Sequence, residues 1–380
     1  MKIAIIRKKY TFYGGAEGFS GSFIENLADE GHEIHLFAIK WQVDGAHNKL
    51  QIHRVPAITF NSFLRDLTFS ILSYYMLKKQ RKSFDIIQTH DKTLYQDIYR
   101  AGDGCHVEWL GQRWKRTGFW GKLSIVLNPY HWLILCLEYN IFKYRRYKKI
   151  IAISELVKRN IIQNYSVPPS DIEVIYNGVD IKKFHPGNKM KYRSEIRQKH
   201  GLEDSDFVVL FMGSGFERKG VEYLIKAVET IPQQLAVLIA GKGDAKKFRS
   251  LIKRQKIIFC GPQKDNYKYY AAADIFVFPT IYEPFGNVHL EALASGLPVI
   301  TTRNSGAAEI IKDNVHGFVI EKPEDFRALA EKIGVFLNNR DRLISVSENA
   351  RRLAEEFTFE KHINKILALY ERVIAERINK

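Results

Sequence analysis

Cysteine is scarce in this chain: Cys105, Cys136 and Cys260 are the only three, far apart and without CxxC spacing. Neither a disulfide framework nor a zinc site is supported, and a reducing compartment fits best. Long apolar runs are missing too. Arg7, Lys8 and Lys9 cut short the run that opens the chain, well below the roughly 7–15 residues of a signal-peptide core, so Lys2 to Ile6 reads as a first strand. The longest apolar stretch, Ser124 to Phe142, is broken by Pro129, His131 and Glu138, and no membrane-crossing helix is expected. Acidic charge is the third shortage. Asp and Glu number 42 against 58 Lys and Arg, a net +16, which implies an acidic partner and leaves nucleic acid, anionic lipid and phosphorylated substrates open. No internal repeat or low-complexity tract stands out.

What is present describes a folded α/β protein. With 380 residues, 46% of them hydrophobic and 26% charged, the chain suits two globular domains. Short β-branched runs alternate with helical patterns, the signature of parallel sheets covered by helices. The first half offers strands at Lys2–Ile6, Glu33–Ile39, Asp85–Gln88, Lys149–Ile153 and Glu173–Tyr176, with a helix over Gly18–Glu30. The second begins afresh at Phe207–Met212, followed by a helix at Val221–Thr230 and strands at Leu235–Ala240, Ile257–Cys260, Ile275–Phe278 and Val299–Thr301. Between the halves, Asn177-Gly178-Val179-Asp180 and His185-Pro186-Gly187-Asn188 read as a linker. The expected domains are 1–180 and 181–357. Two or three helices should close the chain, over Pro323–Leu337, Asp341–Glu356 and Phe359–Ile378.

In open parallel sheets ligands bind beyond the carboxyl ends of the strands, and four of those loops are unusual. Tyr13-Gly14-Gly15-Ala16-Glu17 precedes the first helix, where a glycine pair serves either a close approach to an anion or simply a tight turn. It lacks the GxGxxG dinucleotide fingerprint. Gly213-Ser214-Gly215-Phe216-Glu217-Arg218-Lys219-Gly220 sets two cations against a helix amino terminus. A diphosphate would compensate them; otherwise they are a solvated surface pair. Tyr282-Glu283-Pro284-Phe285-Gly286-Asn287-Val288-His289-Leu290-Glu291 is the most specific signal. Its two carboxylates lie far enough apart along a helix to grip different parts of one ligand, and the amides of Phe285, Gly286 and Asn287 fall in the first turn, where phosphate oxygens bind. As a loop carboxylate, Glu283 should contribute little to stability. The fourth group, Gln88-Thr89-His90-Asp91 and Ala101-Gly102-Asp103-Gly104-Cys105-His106, is polar and titratable after buried strands. No cluster has metal-ligand spacing; Asp204-Ser205-Asp206 lies at the wrong end of its strand and reads as a turn.

These loops together resemble one family, the retaining nucleotide-sugar glycosyltransferases of family four with the GT-B fold. Gly14-Gly15-Ala16-Glu17, Arg218-Lys219-Gly220, and Glu283 through Glu291 carry the resemblance, with Glu-Val-Ile-Tyr-Asn-Gly-Val-Asp from Glu173 similar to the family's linker. It spans effectively the whole chain. Phe216 to Val221 and Ala101 to Cys105 look most like the bacterial lipopolysaccharide core glucosyltransferases that act on heptose. The resemblance implies two Rossmann-like doubly wound domains facing across a cleft, the first binding acceptor and the second the nucleotide-sugar, with the helix in 358–380 crossing back to the first. It implies catalytic roles for Glu283, Arg218, Lys219 and Asp103: Glu283 on hydroxyls of the transferred sugar, the two cations on the diphosphate, and Asp103 facing the transferred sugar. Glu291 would hold the ribose, Phe285, Gly286 and Asn287 would add to the diphosphate contacts, and Gly14 and Gly15 would close over it. Glu17, His90, Asp91 and His106 are candidates on the acceptor side. The implied reaction is front-face transfer with retained configuration, with no cofactor and no essential metal, glucose from UDP-glucose being the best guess. The donor is then a co-substrate and the acceptor a glycolipid or glycan.

The segment between Cys105 and Ile150 holds nine Lys or Arg, two acids and four tryptophans, Trp109, Trp114, Trp120 and Trp132. That mixture suits the headgroup layer of an anionic membrane, or a basic face beside a core helix. A cytoplasmic enzyme, peripheral on the inner membrane, agrees with the first. Two rivals remain. A nucleotide-sugar epimerase on the same fold would need no acceptor, and a nucleic-acid-binding protein would explain the charge but not the glutamate pair; no nucleic acid is expected.

Overall fold

The computed structural model describes residues 1–10, 15–41 and 49–378, with backbone alone at residues 10 and 15–18. It divides into two compact units, Met1–Tyr176 with Glu360–Lys380, and Asn177–Phe359.

The first unit is built on β1 (Lys2–Ile6), β2 (Lys9–Tyr10), α1 (Gly15–Asp29), β3 (Glu33–Ala38), β4 (Lys40–Trp41), β5 (Leu50–Arg54), α2 (Ser62–Lys79), β6 (Ile86–Thr89), β7 (Ile98–Ala101), α3 (His106–Arg116), α4 (Phe119–Leu127), α5 (Pro129–Lys143), β8 (Lys149–Ala152), α6 (Glu155–Tyr165) and β9 (Ile172–Val174). Seven strands form one parallel sheet in the order β5-β3-β1-β6-β7-β8-β9, and β2 pairs with β4 separately. β1 and β6 are buried almost throughout, as strands covered on both faces must be. Ala4, Ile6, Phe37, Val55, Phe69, Leu77, Phe84 and Ile87 form a core cluster between the sheet and α2. Local signals set the helix starts. Asn61 accepts from the Leu64 amide at 2.8 Å and Ser154 from that of Val157 at 3.1 Å, each satisfying a first-turn donor. Asn128 caps α5 with Pro129 at its first position, and this break divides the Ser124–Phe142 stretch between two helices.

The second unit contains α7 (Asn188–Lys199), β10 (Val208–Met212), α8 (Val221–Thr230), β11 (Ala236–Ala240), β12 (Lys256–Gly261), α9 (Asn266–Ala272), β13 (Ile275–Phe278), α10 (Asn287–Ala294), β14 (Val299–Thr302), β15 (Gly317–Ile320), α11 (Phe326–Leu337) and α12 (Arg340–Ala354). Its parallel sheet runs β12-β11-β10-β13-β14-β15, the doubly wound order that reverses between its first and fourth strands. The final helix, α13 (Phe359–Ile378), packs in the first unit, where Tyr370 donates to Gln88 Oε1 at 2.9 Å and Arg377 to the Asp85 carbonyl at 3.1 Å. One buried cation ties the second unit together. Arg197 is fully buried, donating to the carbonyls of Ala272, Glu203 and Asp206 and to Asp274 Oδ2 at 3.0 Å.

Both sheets are of the expected class. Sequence reading missed β5, β7 and β15. β5 is an edge strand with exposed positions, β7 carries a buried Arg100, and β15 is a short run that opens on glycine.

Candidate active site

The strand order of each unit reverses at one place, and polar side chains gather beyond the carboxyl ends there. In the second unit this place lies between β10 and β13. The loop after β10 is held from both sides: Gly213 N–H donates to the Ala240 carbonyl at 2.8 Å, and the Arg218 carbonyl accepts from Ile281 N–H at 3.0 Å and from the Thr280 hydroxyl at 3.2 Å. Gly220 has φ +79°, and a Cβ there would collide with the Pro279 carbonyl, so only glycine lets the two loops approach this closely.

That approach brings Arg218, Lys219 and Glu283 together. Arg218 Nη1 lies 3.2 Å and Lys219 Nζ 3.5 Å from the same oxygen, Glu283 Oε2. Arg218 also donates to the Tyr282 carbonyl at 2.8 Å, and the Lys219 ammonium sits 5.1 Å over the Phe278 ring. Burial alone would raise the Glu283 carboxyl, but Lys219 and then Arg218 outweigh it and hold it below the usual range. The two cations are therefore compensated by a carboxylate, not solvated as a surface pair. Glu283 is also no loose loop residue. Its side chain is only 12% exposed, its N–H donates to the Asn304 carbonyl, and its own carbonyl accepts from Gly306. The expectation that it contributes little to stability is corrected accordingly.

Gly286, with φ +80°, turns the chain into α10; a Cβ there would come within 2.9 Å of Glu283 Cγ and 2.8 Å of His289 Nδ1. His289 fixes this turn. Its Nδ1 donates to the Gly286 carbonyl at 2.8 Å, and Nε2 faces Thr301 Oγ1 at 3.0 Å. Burial pushes its pKa down to about 4, so the ring is neutral and serves as a brace. Phe285 is fully buried, and Asn287 Oδ1 accepts from Asn177 at 2.5 Å.

Glu291 lies within α10, apart from the cation pair. Tyr270 and Asn266 donate to its Oε2 at 2.8 and 2.9 Å. Its Oε1 has no hydrogen-bond partner among the described residues. Burial raises its pKa, against the pull of the Tyr270 hydrogen bond. Sequence reading missed Tyr270, Asn266 and His289. The signals were the i, i+4 pair Asn266/Tyr270 on one face of α9 and a histidine three residues after a helix-capping glycine.

In the first unit the reversal lies between β1 and β6. Lys8 donates its amide to Asp91 Oδ2 at 2.7 Å and its ammonium to Asp66 Oδ2 at 2.8 Å, with Asp91 Oδ1 3.3 Å away. Burial would lower the Lys8 pKa, yet Asp91 and then Asp66 raise it. Asp91 thus pins the loop after β1. His90 is buried, its ring against Gln88 at 2.7 Å and Ser20 at 3.3 Å, and burial holds it well below the usual histidine range. These two residues brace the sheet edge, and an acceptor would not reach the His90 ring in this arrangement. His106 N–H donates to Glu138 Oε1 at 2.7 Å, and its ring faces His131 at 3.0 Å, with burial pushing it down to about 3. Asp103 is exposed just beyond β7. Gly15 is the first residue of α1; Gly14 and the side chain of Glu17 lie outside the described residues. Among the described residues no three His, Cys, Asp or Glu cluster where they could hold a metal ion.

Comparison with known proteins identifies the family. Residues 13–183 match the family described as Glycosyltransferase Family 4, and residues 192–353 match Glycosyl transferases group 1. The chain belongs to the family-four GT-B glycosyltransferases. It is 25% identical over 363 residues to the lipopolysaccharide glucosyltransferase WaaG of Escherichia coli K12, covering 93% of this chain and 94% of that one. It is 28% identical over 393 residues to the Escherichia coli UDP-Gal:alpha-D-GlcNAc-diphosphoundecaprenol alpha-1,3-galactosyltransferase, covering 96% and 95%. The WaaG crystal structure shares the fold with a TM-score of 0.81 at 23% identity, over 97% of this chain and 99% of that one. Anabaena Alr3699/HepE, solved in complex with UDP-glucose, aligns with a TM-score of 0.71 at 21% identity, over 100% and 99%. In this glycosyltransferase Arg218, Lys219, Glu283 and Glu291 follow β10 and β13 within the residues that match Glycosyl transferases group 1.

Proposed function

We propose that the enzyme is a retaining hexosyltransferase that moves glucose from UDP-glucose to a lipopolysaccharide-core or related glycolipid acceptor. One observation carries the reading: two cations converge on Glu283 at the switch point, with Glu291 held eight residues on and one of its oxygens open. Arg218 and Lys219 take the diphosphate and stabilise the charge that develops as it leaves, a task fixed cations perform with little reorganisation. Glu283, released from them, accepts hydrogen bonds from hydroxyls of the transferred hexose. Glu291 Oε1 accepts from the ribose hydroxyls, and the first turn of α10 contributes its dipole to the phosphates. The leaving diphosphate oxygen takes the acceptor proton on the face it departs from, so configuration is retained without a protein nucleophile, and the cation pair does this without a metal ion. Asp103, exposed beyond β7, is the first unit's candidate for contacting the sugars. The glucosyl and galactosyl transfers named for the two relatives, and the UDP-glucose bound to HepE, support a uridine donor.

The acceptor side extends to a membrane surface. Phe119, Trp120, Leu127 and Trp132 are all more than 60% exposed on α4 and α5, beside Arg113, Lys115, Arg116 and Lys122. The opposite face of α5 buries Ile134, Leu137 and Ile141. Exposed rings among cations suit anionic headgroups, and no described helix is long and apolar enough to cross a membrane. The enzyme then works on the cytoplasmic face, on a lipid-borne acceptor. The test is transfer from radiolabelled UDP-glucose to heptose-terminated lipopolysaccharide core, with the product anomer read by NMR. An α-linked glucosyl product is expected. Isomerisation of the donor without transfer would favour an epimerase and overturn the proposal.

A further inference from the structure

The amino-terminal unit carries a cavity that glycosyl transfer leaves unused. It lies at the amino end of the sheet, where Asp97 precedes β7 and Lys148 precedes β8, on the opposite edge from Lys8, Asp91 and Asp103. Its volume is about 510 Å³, within the roughly 300–1,000 Å³ typical of small-molecule sites. Arg81, Arg145, Arg146, Lys148 and Arg377 line it against a single acid, Asp97.

Part of that charge has a structural reason. Arg81 follows α2, Arg145 and Arg146 follow α5, and Arg377 stands in the last turn of α13, so three helix carboxyl ends meet here, each equivalent to about half a negative charge. Asp97 is already engaged. Arg81 donates to its Oδ1 and the Ile87 amide to its Oδ2, both at 3.0 Å, and Lys148 stands 3.9 Å away. Among the lining residues, five cations outnumber one carboxylate and three helix ends.

Two further observations point to an anion. Arg145 holds φ +46° as the residue that reverses the chain after α5, with Arg146 N–H closing the turn on the Ile141 carbonyl at 2.9 Å. Glycine is the unstrained choice there, and an arginine instead sets a guanidinium at the cavity wall. Next to it, Arg146 Nε is buried with no hydrogen-bond partner among the described residues, and Tyr147 is only 8% exposed. Burial first, and then the neighbouring Asp171 carboxylate, push Tyr147 up to about 12, so it keeps its proton. An unpartnered buried donor beside surplus positive charge matches an anion with several acceptor oxygens.

We propose that this cavity is a phosphate-binding site, taking a phosphoryl group borne by a small molecule or a lipid headgroup and separate from the sugar-nucleotide site. It stands whether or not the donor reading does. The test is calorimetric titration of the full chain with inorganic phosphate and glycerol 3-phosphate, beside flotation with phosphatidylglycerol vesicles. Wild type is compared with the double variant Arg145→Gly, Lys148→Gln, which suits the left-handed turn and changes an exposed lysine. Arg218→Gln, Lys219→Gln serves as the control that removes the other cation pair. Phe119→Ser, Trp120→Ser is the background for the vesicle arm.

The Arg145/Lys148 variant should bind soluble phosphate about tenfold or more weakly and unfold no earlier than wild type, while the Arg218/Lys219 control keeps its affinity. Loss confined to the vesicle arm assigns the site to a lipid headgroup, and loss confined to the soluble arm assigns it to a free phosphorylated small molecule. No binding in either arm, or binding indifferent to the Arg145 and Lys148 changes, means that the cations serve only the helix ends and overturns the site.

Discussion

Replacing Glu283 by glutamine should separate donor affinity from turnover. The carboxylate faces Arg218 at 3.2 Å and Lys219 at 3.5 Å, and at an effective dielectric of 20 each pair attracts by about 5 kcal/mol before desolvation is counted. Breaking a buried pair from one side costs about 3–5 kcal/mol. Here the Arg218 side chain is 32% exposed and can turn to water, so a loss nearer 2 kcal/mol is expected. For a domain of this size that lowers the unfolding midpoint by about 4–8 °C. The freed cations, however, no longer have to exchange a carboxylate for a diphosphate. UDP affinity in Glu283→Gln should hold or rise, up to about tenfold, while kcat falls by about a hundredfold or more because the contact to the transferred hexose is lost. Calorimetry with UDP, a thermal scan and a transfer assay read the three quantities. Weaker UDP binding with an unchanged midpoint, or turnover within twofold of wild type, would refute the reasoning.

Glu291 gives a pH signature. Its carboxyl sits above the usual range because burial disfavours the charge, with Tyr270 pulling the other way, so UDP binding that needs the ionised form should fail as pH drops through that raised value. Tyr270→Phe should move this loss to higher pH in a calorimetric series. The same shift costs stability: the folded state holds the proton more tightly than the unfolded chain, so the cost grows as pH rises from the unfolded to the folded value. Glu291→Gln should thus raise the unfolding midpoint at neutral pH and leave it unchanged below about pH 4. Gly286→Ala, forced against Glu283 and His289 at a positive φ, should lose about 1–3 kcal/mol and most activity. Arg197→Met strips carbonyls and Asp274 of a buried partner, but Asp274 keeps Arg193 at 2.9 Å and the Val208 amide at 2.8 Å. About 3 kcal/mol, near 10 °C by scanning fluorimetry, is therefore expected.

The parallel strands were legible where they are wholly apolar. Val208–Met212 and Ile275–Phe278 are buried end to end, and such runs have one reading. β7 escaped because Arg100 interrupts it, and β5 because an edge strand keeps exposed positions. In the site, Arg218, Lys219, Glu283 and Glu291 stand out as charges beside glycines after strands, and the fold brings the first three onto one oxygen. What surrounds them did not show, because it depends on distant segments: the Arg218 carbonyl is held by Thr280 and Ile281, and Glu291 by side chains of α9. His90 and Asp91 looked reactive in a polar loop, yet tertiary packing encloses both at the sheet edge. The exposure of Trp120 and Trp132 likewise depends on which faces α4 and α5 turn to the core, which composition does not specify.

The most direct test of the donor site is calorimetric titration of the purified, EDTA-treated chain with UDP-, GDP- and ADP-glucose, beside Glu291→Ala. The variant loses one acceptor for two ribose hydroxyls, charge-assisted bonds worth about 1.5–3 kcal/mol each. UDP-glucose should bind wild type alone among the three and at least thirtyfold more weakly in the variant. Binding of none of them, or equal binding by wild type and variant, would contradict the assignment of Glu291 and with it the nucleotide-sugar site.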